Sequence, residues 1–509
     1  MTRQWASPPA PRHQILMFSE TLDDCVAPDD PIRVLDRVLN EMDWGPWEEA
    51  YDGGRGQPAI HPRLIAGCIL YGLMKGLRST RALEDATRHR VDFMWFLERR
   101  TIDHTTFSYF RTDFKAELKD LSRQISRAIC ADAAKALLEI VLDGTRLRAN
   151  SDRHGARTAQ GLERLMAAVE EELNEKLEKL RDGDGELDLN QADTQTLQKE
   201  VDGLERRMEK YKRALAVARE RDETKRKKEG KKCLGVRVPV TDPDAMIVPN
   251  KEGGFAPNYT PVVAVDRATG AIVMSDVVEG SDEASAVALA VEAAEELFER
   301  KPDRVLADTS FASGENLEAL EENGIEASMP AGTDFRDSNP ANRADPTQAV
   351  APEDRERLPR HKRLLARSAF VFDEEKDRYY CPMGKALEKT SKSGAREARY
   401  ACPGKEDCPL AAECVKREAE RRTVLRDKYQ HLRDRVGKRM AGAEGQRVYK
   451  KRAPVVEGVF GVIKAAMRIR NFLLRGLGNV RTEWNWICAA FNLRKLLQRK
   501  GGLAPRVAA

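Results

Sequence analysis

No stretch of this 509-residue chain approaches the roughly 18 consecutive apolar residues that a membrane span needs. The first twenty residues also lack the continuous apolar centre of a secretory signal, so the sequence predicts a cytoplasmic protein. Phosphate loops of the GxxxxGK[ST] kind are missing, which argues against ATP-driven work, and the seven histidines show no HExxH pair, which argues against a zincin hydrolase. Cysteine is scarce and uneven: four of the nine fall within residues 381–414. In a reducing compartment they would be free thiols or metal ligands rather than disulfides.

What is present is charge, at 33% of residues, with a formal net of only +4. That near-balance hides a strong asymmetry. Residues 415–500 hold 23 Lys and Arg against 7 Asp and Glu, a surplus of 16, while the rest of the chain is negative by 12. A basic segment of this strength suits a polyanion such as DNA, although a solvated helical surface would have the same composition.

Periodicity divides the chain. Residues 1–30 are Pro-rich and read as a loose arm, and 501–509 as a tail. Residues 31–130 carry short amphipathic helices, among them HPRLIAGCILYGLMKGL with Pro62 at its first turn and TIDHTTFSYFRTDF with Arg111. The last of these could present a recognition helix to a DNA groove; packing among helices explains it equally well. Between 158 and 230, Leu162, Met166, Val169, Leu173, Leu177 and Leu180 recur at spacings of three and four, as do Leu197, Val201, Leu204, Met208, Tyr211 and Leu215. The pattern predicts an antiparallel helical hairpin.

The hairpin interrupts residues 131–330, where a β-branched run ends at Asp143, NYTPVVAVD and AIVMSDVVEG flank a DRATG turn, and RVLADTSF ends at Asp308. Three strands, a helix, a strand, a helix and a strand make a mixed α/β sheet. Residues 331–420 form a Cys-rich insertion without a clear period, holding Cys381, Cys402, Cys408 and Cys414, a set able to close a structural Zn²⁺ site or to remain free thiols. Residues 421–500 form a basic helical part, beginning with a helix around LRDKYQHLRDRVGKRM.

Three acids stand out. Asp143 and Asp308 each terminate an apolar run, where a carboxylate emerges at the end of a strand, and Glu457 lies beside an apolar helical stripe of Val456, Val459, Phe460 and Ile463. Each alone has an ordinary reading as a turn former, a cap or a solvated helix residue. Together they suit two-metal phosphoryl transfer: carboxylates are hard oxygen ligands for Mg²⁺ or Mn²⁺, and two such ions can stabilise the attacking and leaving oxygens of a phosphodiester. Asp132, Asp152 and Asp266 also lie near strands and rank lower, since Asp266 opens a turn and Asp152 lies beyond the strand.

The ordered segments IVLDGTRLRAN, VLADTSF and VYKKRAPVVEGVFGVIK resemble the DDE transposases of bacterial insertion sequences, in particular the long-chain group with an InsH-like helical N-terminal domain. The resemblance implies an RNase H-like catalytic core, a DNA-binding role for residues 31–130, and a catalytic and metal-binding triad of Asp143, Asp308 and Glu457 with two Mg²⁺ (or Mn²⁺) ions. It also implies that Tyr449, Arg452 and Lys464 belong to the signature around the last acid and that Arg468 and Arg470 add DNA contacts. The implied reaction is cleavage at terminal inverted repeats followed by strand transfer into double-stranded DNA, by copies that associate on the DNA. Two departures stand in the sequence: Phe311 replaces a frequent Tyr three residues after the second acid, and four residues rather than three separate Arg452 from Glu457. A nuclease that cuts without joining, or a non-catalytic DNA-binding relic, are the alternative readings.

Overall fold

A computed structural model describes residues 21–50, 59–131, 137–182, 191–229, 235–249, 253–280, 282–390, 397–416 and 419–501. Asp132, most of the N-terminal arm and most of the tail lie outside these residues. Among the described residues no helix is long and apolar enough to cross a membrane. The chain divides into two compact units, Met1–Gln124 with Ala489–Ala509, and Ile125–Cys488. The final stretch of the expected C-terminal segment therefore clusters with the N-terminal helices rather than with the catalytic part.

In the first unit four helices start where the sequence supplies a cap. Asp30 accepts from the Ile32 amide at the start of α1 (Pro31–Asn40), His61 precedes α2 (Pro62–Met74), Ser79 caps α3 (Thr80–His89), and Asp103 caps α4 (His104–Asp113). Trp47, Tyr71, Phe93 and Phe107 are fully buried among them, and Trp47 stacks on Phe110 at 5.2 Å. Arg111 corrects one expectation. It is 4% exposed and donates to the Arg78 carbonyl at 2.9 Å, because it shares the buried face of α4 with Phe107 and Phe110. Tyr109, 69% exposed, stands on the outer face instead.

The second unit is built on a seven-stranded mixed sheet. Strands β1 (Glu139–Gly144), β2 (Leu147–Arg148), β3 (Met246–Pro249), β4 (Phe255–Asp266), β5 (Ile272–Val278), β6 (Arg304–Leu306) and β7 (Glu326–Ser328) follow in chain order. The main path runs β5, β4, β1, β6, β7, with β4 antiparallel to both β5 and β1, and with β1, β6 and β7 parallel. Strands β2 and β3 pair with the first half of β4. Helix α7 (Ala286–Phe298) follows β5 and α8 (Gly314–Glu322) follows β6, so along the main path the order is three strands, helix, strand, helix, strand, with β2 and β3 as two short additional strands. Helices α5 (Ala159–Asp182) and α6 (Gln191–Glu229) form the expected hairpin, antiparallel by the pairs Lys176–Glu200 and Arg219–Glu163.

One core holds this sheet. Ile140 and Leu142 of β1, Val262 and Ala264 of β4 and Val305 of β6 pack under Ala290 and Ala294 of α7. The small alanines let that helix approach closely, which is why an Ala-rich segment serves there. At the other end of β1 the buried Glu139 accepts from Arg304 at 2.6 Å and also pairs with Arg267. A buried carboxylate between two guanidiniums fixes the pairing of β1 and β6, because a slip would leave it unpaired.

The Cys-rich segment is ordered where a patternless insertion was expected. Strands β8 (Val371–Asp373), β9 (Arg378–Tyr380), β10 (Ala386–Lys389), β11 (Glu397–Ala401) and β12 (Thr423–Asp427) make a five-stranded antiparallel sheet. The expected basic helix accordingly starts later: Thr423–Asp427 pairs with β11, and α9 runs over Gln430–Ala441. β-branched Thr423 and Val424 favour that strand over a helix.

Candidate active site

Strands β1 and β6 run parallel with Val141 opposite Leu306. Asp143 lies near the end of β1 and Asp308 two residues beyond β6, close enough for the charge on Asp308 to act on the Asp143 carboxyl. Asp143 ends β1 with its side chain 19% exposed and accepts from the Gly144 amide at 3.0 Å. Asp308 caps the short turn Thr309–Phe311, accepting from the Ser310 amide at 2.8 Å and the Ser310 hydroxyl at 2.6 Å. Phe311 is fully buried in the sheet core, so the frequent Tyr would bring its hydroxyl into an apolar site here.

The Asp143 carboxyl is pushed above the usual carboxylate range. Burial is the main cause, with the negative Asp308 adding to it, while the Arg452 guanidinium and the Gly144 amide pull the other way. Two like charges share this spot with one partner cation, the condition that a divalent ion relieves.

Arg452 begins helix α10 (Arg452–Gly461), which passes into a wider turn at Val462–Ala466. Its Nη1 lies 3.2 Å from Asp143 Oδ1, 17% exposed, but not aligned for a hydrogen bond. The Tyr449 ring lies 5.7 Å from the same guanidinium. At the far end Lys464 Nζ donates to the Thr145 hydroxyl at 2.5 Å, two residues beyond Asp143. Both ends of the helical stretch thus reach the end of β1. The extra residue between Arg452 and Glu457 does not loosen Arg452, which sits directly on the first acid.

Glu457 lies between these anchors. Val456, Val459 and Phe460 are buried and hold the helix down, leaving Glu457 on the exposed side. Lys464 follows seven residues later, past the change to the wider turn. Among the described residues no three His, Cys, Asp or Glu side chains are gathered at metal-holding distance, Asp143, Asp308 and Glu457 included. Arg468 and Arg470 are exposed just beyond; Arg468 takes a left-handed conformation with φ of 59°, and the Arg470 carbonyl accepts from the Arg148 amide where the segment lines up with β2. The lower-ranked acids have structural work: Asp266 is buried and accepts from Thr269, and Asp152 accepts from the His154 amide.

One neighbour escaped the sequence reading. Glu283, in the turn before α7, accepts from the Ser310 hydroxyl at 2.5 Å, and a Cβ on Gly144 would lie 3.1 Å from its Oε1. Ser310 thereby links Glu283 to Asp308. The only sequence signal is an acidic GSDEAS stretch after a strand, which reads as an ordinary helix start.

The site is therefore a set of hard oxygen donors and basic side chains at the ends of parallel strands in a mixed α/β sheet, the chemistry of phosphate-ester enzymes. Residues 380–497 match the family model described as Transposase DDE domain, and residues 20–113 match the Transposase domain (DUF772). The matches support a DDE transposase of the insertion-sequence type. The first match includes Glu457, Tyr449, Arg452, Lys464 and the four clustered cysteines but begins after Asp143 and Asp308. No curated protein and no solved structure matches the chain.

Proposed function

We propose that this transposase binds the terminal inverted repeats of an insertion sequence and performs strand cleavage and strand transfer through Asp143, Asp308 and Glu457. The observation that carries the reading is that Arg452 and Lys464 tie the helix bearing Glu457 to the end of β1 that bears Asp143. The sheet path, with an antiparallel second strand and three parallel strands, supports an RNase H-like core. The carboxylate donors are chemically suited to Mg²⁺ or Mn²⁺, which Asp143, Asp308 and Glu457 would hold. When bound, two such ions would stabilise the charge that develops on the attacking and leaving oxygens.

The chain's own residues prepare this site. Ser310 orients the Asp308 carboxylate, Arg452 offsets the charge on Asp143, and burial of the apolar stripe aims the Glu457 helix. In the reaction water attacks a phosphodiester, the 3′ oxygen leaves as a hydroxyl, and that hydroxyl attacks a target phosphodiester in turn. One phosphodiester is exchanged for another, so the joining step needs no ATP. Arg452 and Lys464 lie where the scissile phosphate would enter, with Tyr449 beside Arg452, and Arg468 and Arg470 extend the basic surface. Residues 31–130 would bind the repeat, 331–420 would be an insertion into the catalytic core, and copies would pair on the two ends within the nucleoid.

The test is purified protein with labelled end-sequence DNA and Mg²⁺. Joined products are expected, and cutting without joining would favour a nuclease. Glu457→Gln should abolish cleavage while DNA binding persists; unchanged cleavage would refute its role. Binding through about 6–10 phosphate contacts should weaken by about 10³–10⁵ between about 50 and 200 mM salt.

A further inference from the structure

The five-stranded sheet has a hydrophobic core apart from that of the main sheet. Its strands are three to five residues long, and Leu365, Phe370, Tyr379, Leu387 and Tyr400 are buried in that core together with Cys381 and Cys414. Sheets this short are commonly stapled by a disulfide or a metal. All four of its cysteines are free thiols, two buried and two half-buried. Cys381, Cys402, Cys408 and Cys414 nevertheless line one cavity, of about 20 Å³. That is room for a single ion or water.

The backbone around them is shaped to receive thiolates. Cys381 opens a tight turn in which the Gly384 amide donates to the Cys381 carbonyl at 2.9 Å and the Cys381 amide donates to Lys385 at 3.0 Å. The amides of Met383 and Lys385 donate to the Cys381 sulfur. Such amides favour the anion, though burial outweighs them and pushes the Cys381 thiol up, as it does Cys414. Only glycine fits the turn: Gly384 has φ of 73°, and a Cβ would meet the Thr347 carbonyl oxygen at 2.0 Å. Cys402, Cys408 and Cys414 are each six residues apart, the last on a short helix, Ala411–Cys414. Arg422 lines the same cavity, donates to the Cys414 and Leu365 carbonyls, and keeps a buried Nε–H without an acceptor; Lys385 and Lys405 complete the cationic rim. Four thiolates around a divalent ion carry a net charge of two negatives, which these cations offset.

We propose that Cys381, Cys402, Cys408 and Cys414 bind one structural Zn²⁺ that holds this sheet together. Binding displaces four thiol protons to solvent and forms four Zn–S bonds, with no change of oxidation state and no open coordination position. The thiols draw inward across the cavity as the ion enters. The site is separate from the carboxylates and does not depend on the reading of their chemistry.

The test uses the full-length chain purified under reducing conditions and dialysed against micromolar zinc. Elemental analysis should find one zinc per chain, lost in Cys408→Ser. Because that variant could misfold, the wild type is also titrated with Co²⁺, which should give intense tetrahedral ligand-field bands with thiolate-to-metal charge transfer. Absence of bound zinc, a cobalt spectrum without sulfur ligation, bound iron in place of zinc, retention of zinc by Cys408→Ser, or a disulfide among the four would each overturn the proposal.

Discussion

Replacing Arg452 with Ala removes the only cation paired with Asp143 among the described residues. At 3.2 Å and an effective dielectric of about 20 the Coulomb attraction is about 5 kcal/mol, partly offset by rehydration of the guanidinium. Both side chains are more than four-fifths buried, so leaving the carboxylate alone should cost about 2–3 kcal/mol of stability near pH 7. That corresponds to a drop in Tm of several degrees. The sign with pH follows from Asp143, whose folded pKa is already raised by burial and would rise further. A raised carboxyl pKa costs stability above the folded value and costs nothing below the unfolded one. The deficit of Arg452→Ala should therefore be full at pH 7–8 and shrink as pH falls toward the carboxyl range. A divalent ion can replace the missing charge: Mn²⁺ at ten times its Kd contributes about 1.4 kcal/mol. Melts of the two proteins with and without Mn²⁺ should show the larger metal-induced rise in the variant. Equal rises, or none, would refute the idea that Asp143 sits where a metal ion binds.

Other outcomes follow from the same contacts. Glu283→Gln weakens the link through Ser310 to Asp308 and should slow cleavage about tenfold, the worth of one charged hydrogen bond, with DNA affinity unchanged in a mobility-shift assay; an unchanged rate would remove Glu283 from the site. Arg111→Ala should lower stability by about 1–3 kcal/mol by denaturant titration, and a variant that kept its stability but lost DNA affinity would restore Arg111 as a groove contact. Gly384→Ala should speed hydrogen exchange across residues 378–389 while leaving β1 and β4 protected, since it forces a side chain into a left-handed turn against the Thr347 carbonyl.

Where the sequence spoke in long periods it was readable. The leucine spacings of 162–180 and 197–215 gave a helical hairpin, and the apolar runs before Asp143 and Asp308 gave two strands that pair in parallel. Glu457 stood out as an acid beside an apolar stripe in a basic segment, yet its distance from the aspartates is a tertiary quantity that no spacing encodes. The Cys-rich sheet was opaque because strands of three to five residues carry too few alternations to distinguish from loop. Arg111 misled because a guanidinium on a short polar helix looks exposed until Phe107 and Phe110 define which face is buried. Glu283 was hidden for the opposite reason: it joins the site only through a hydroxyl contributed by a distant turn.

The most direct test loads the protein, bound to end-sequence DNA, with Fe²⁺ in place of Mg²⁺ and maps where locally generated hydroxyl radicals cut the polypeptide. Cuts clustered beside Asp143, Asp308 and Glu457, all suppressed by excess Mg²⁺, are the result expected of one shared cation cage. Cuts near the two aspartates with none around Glu457 would contradict it.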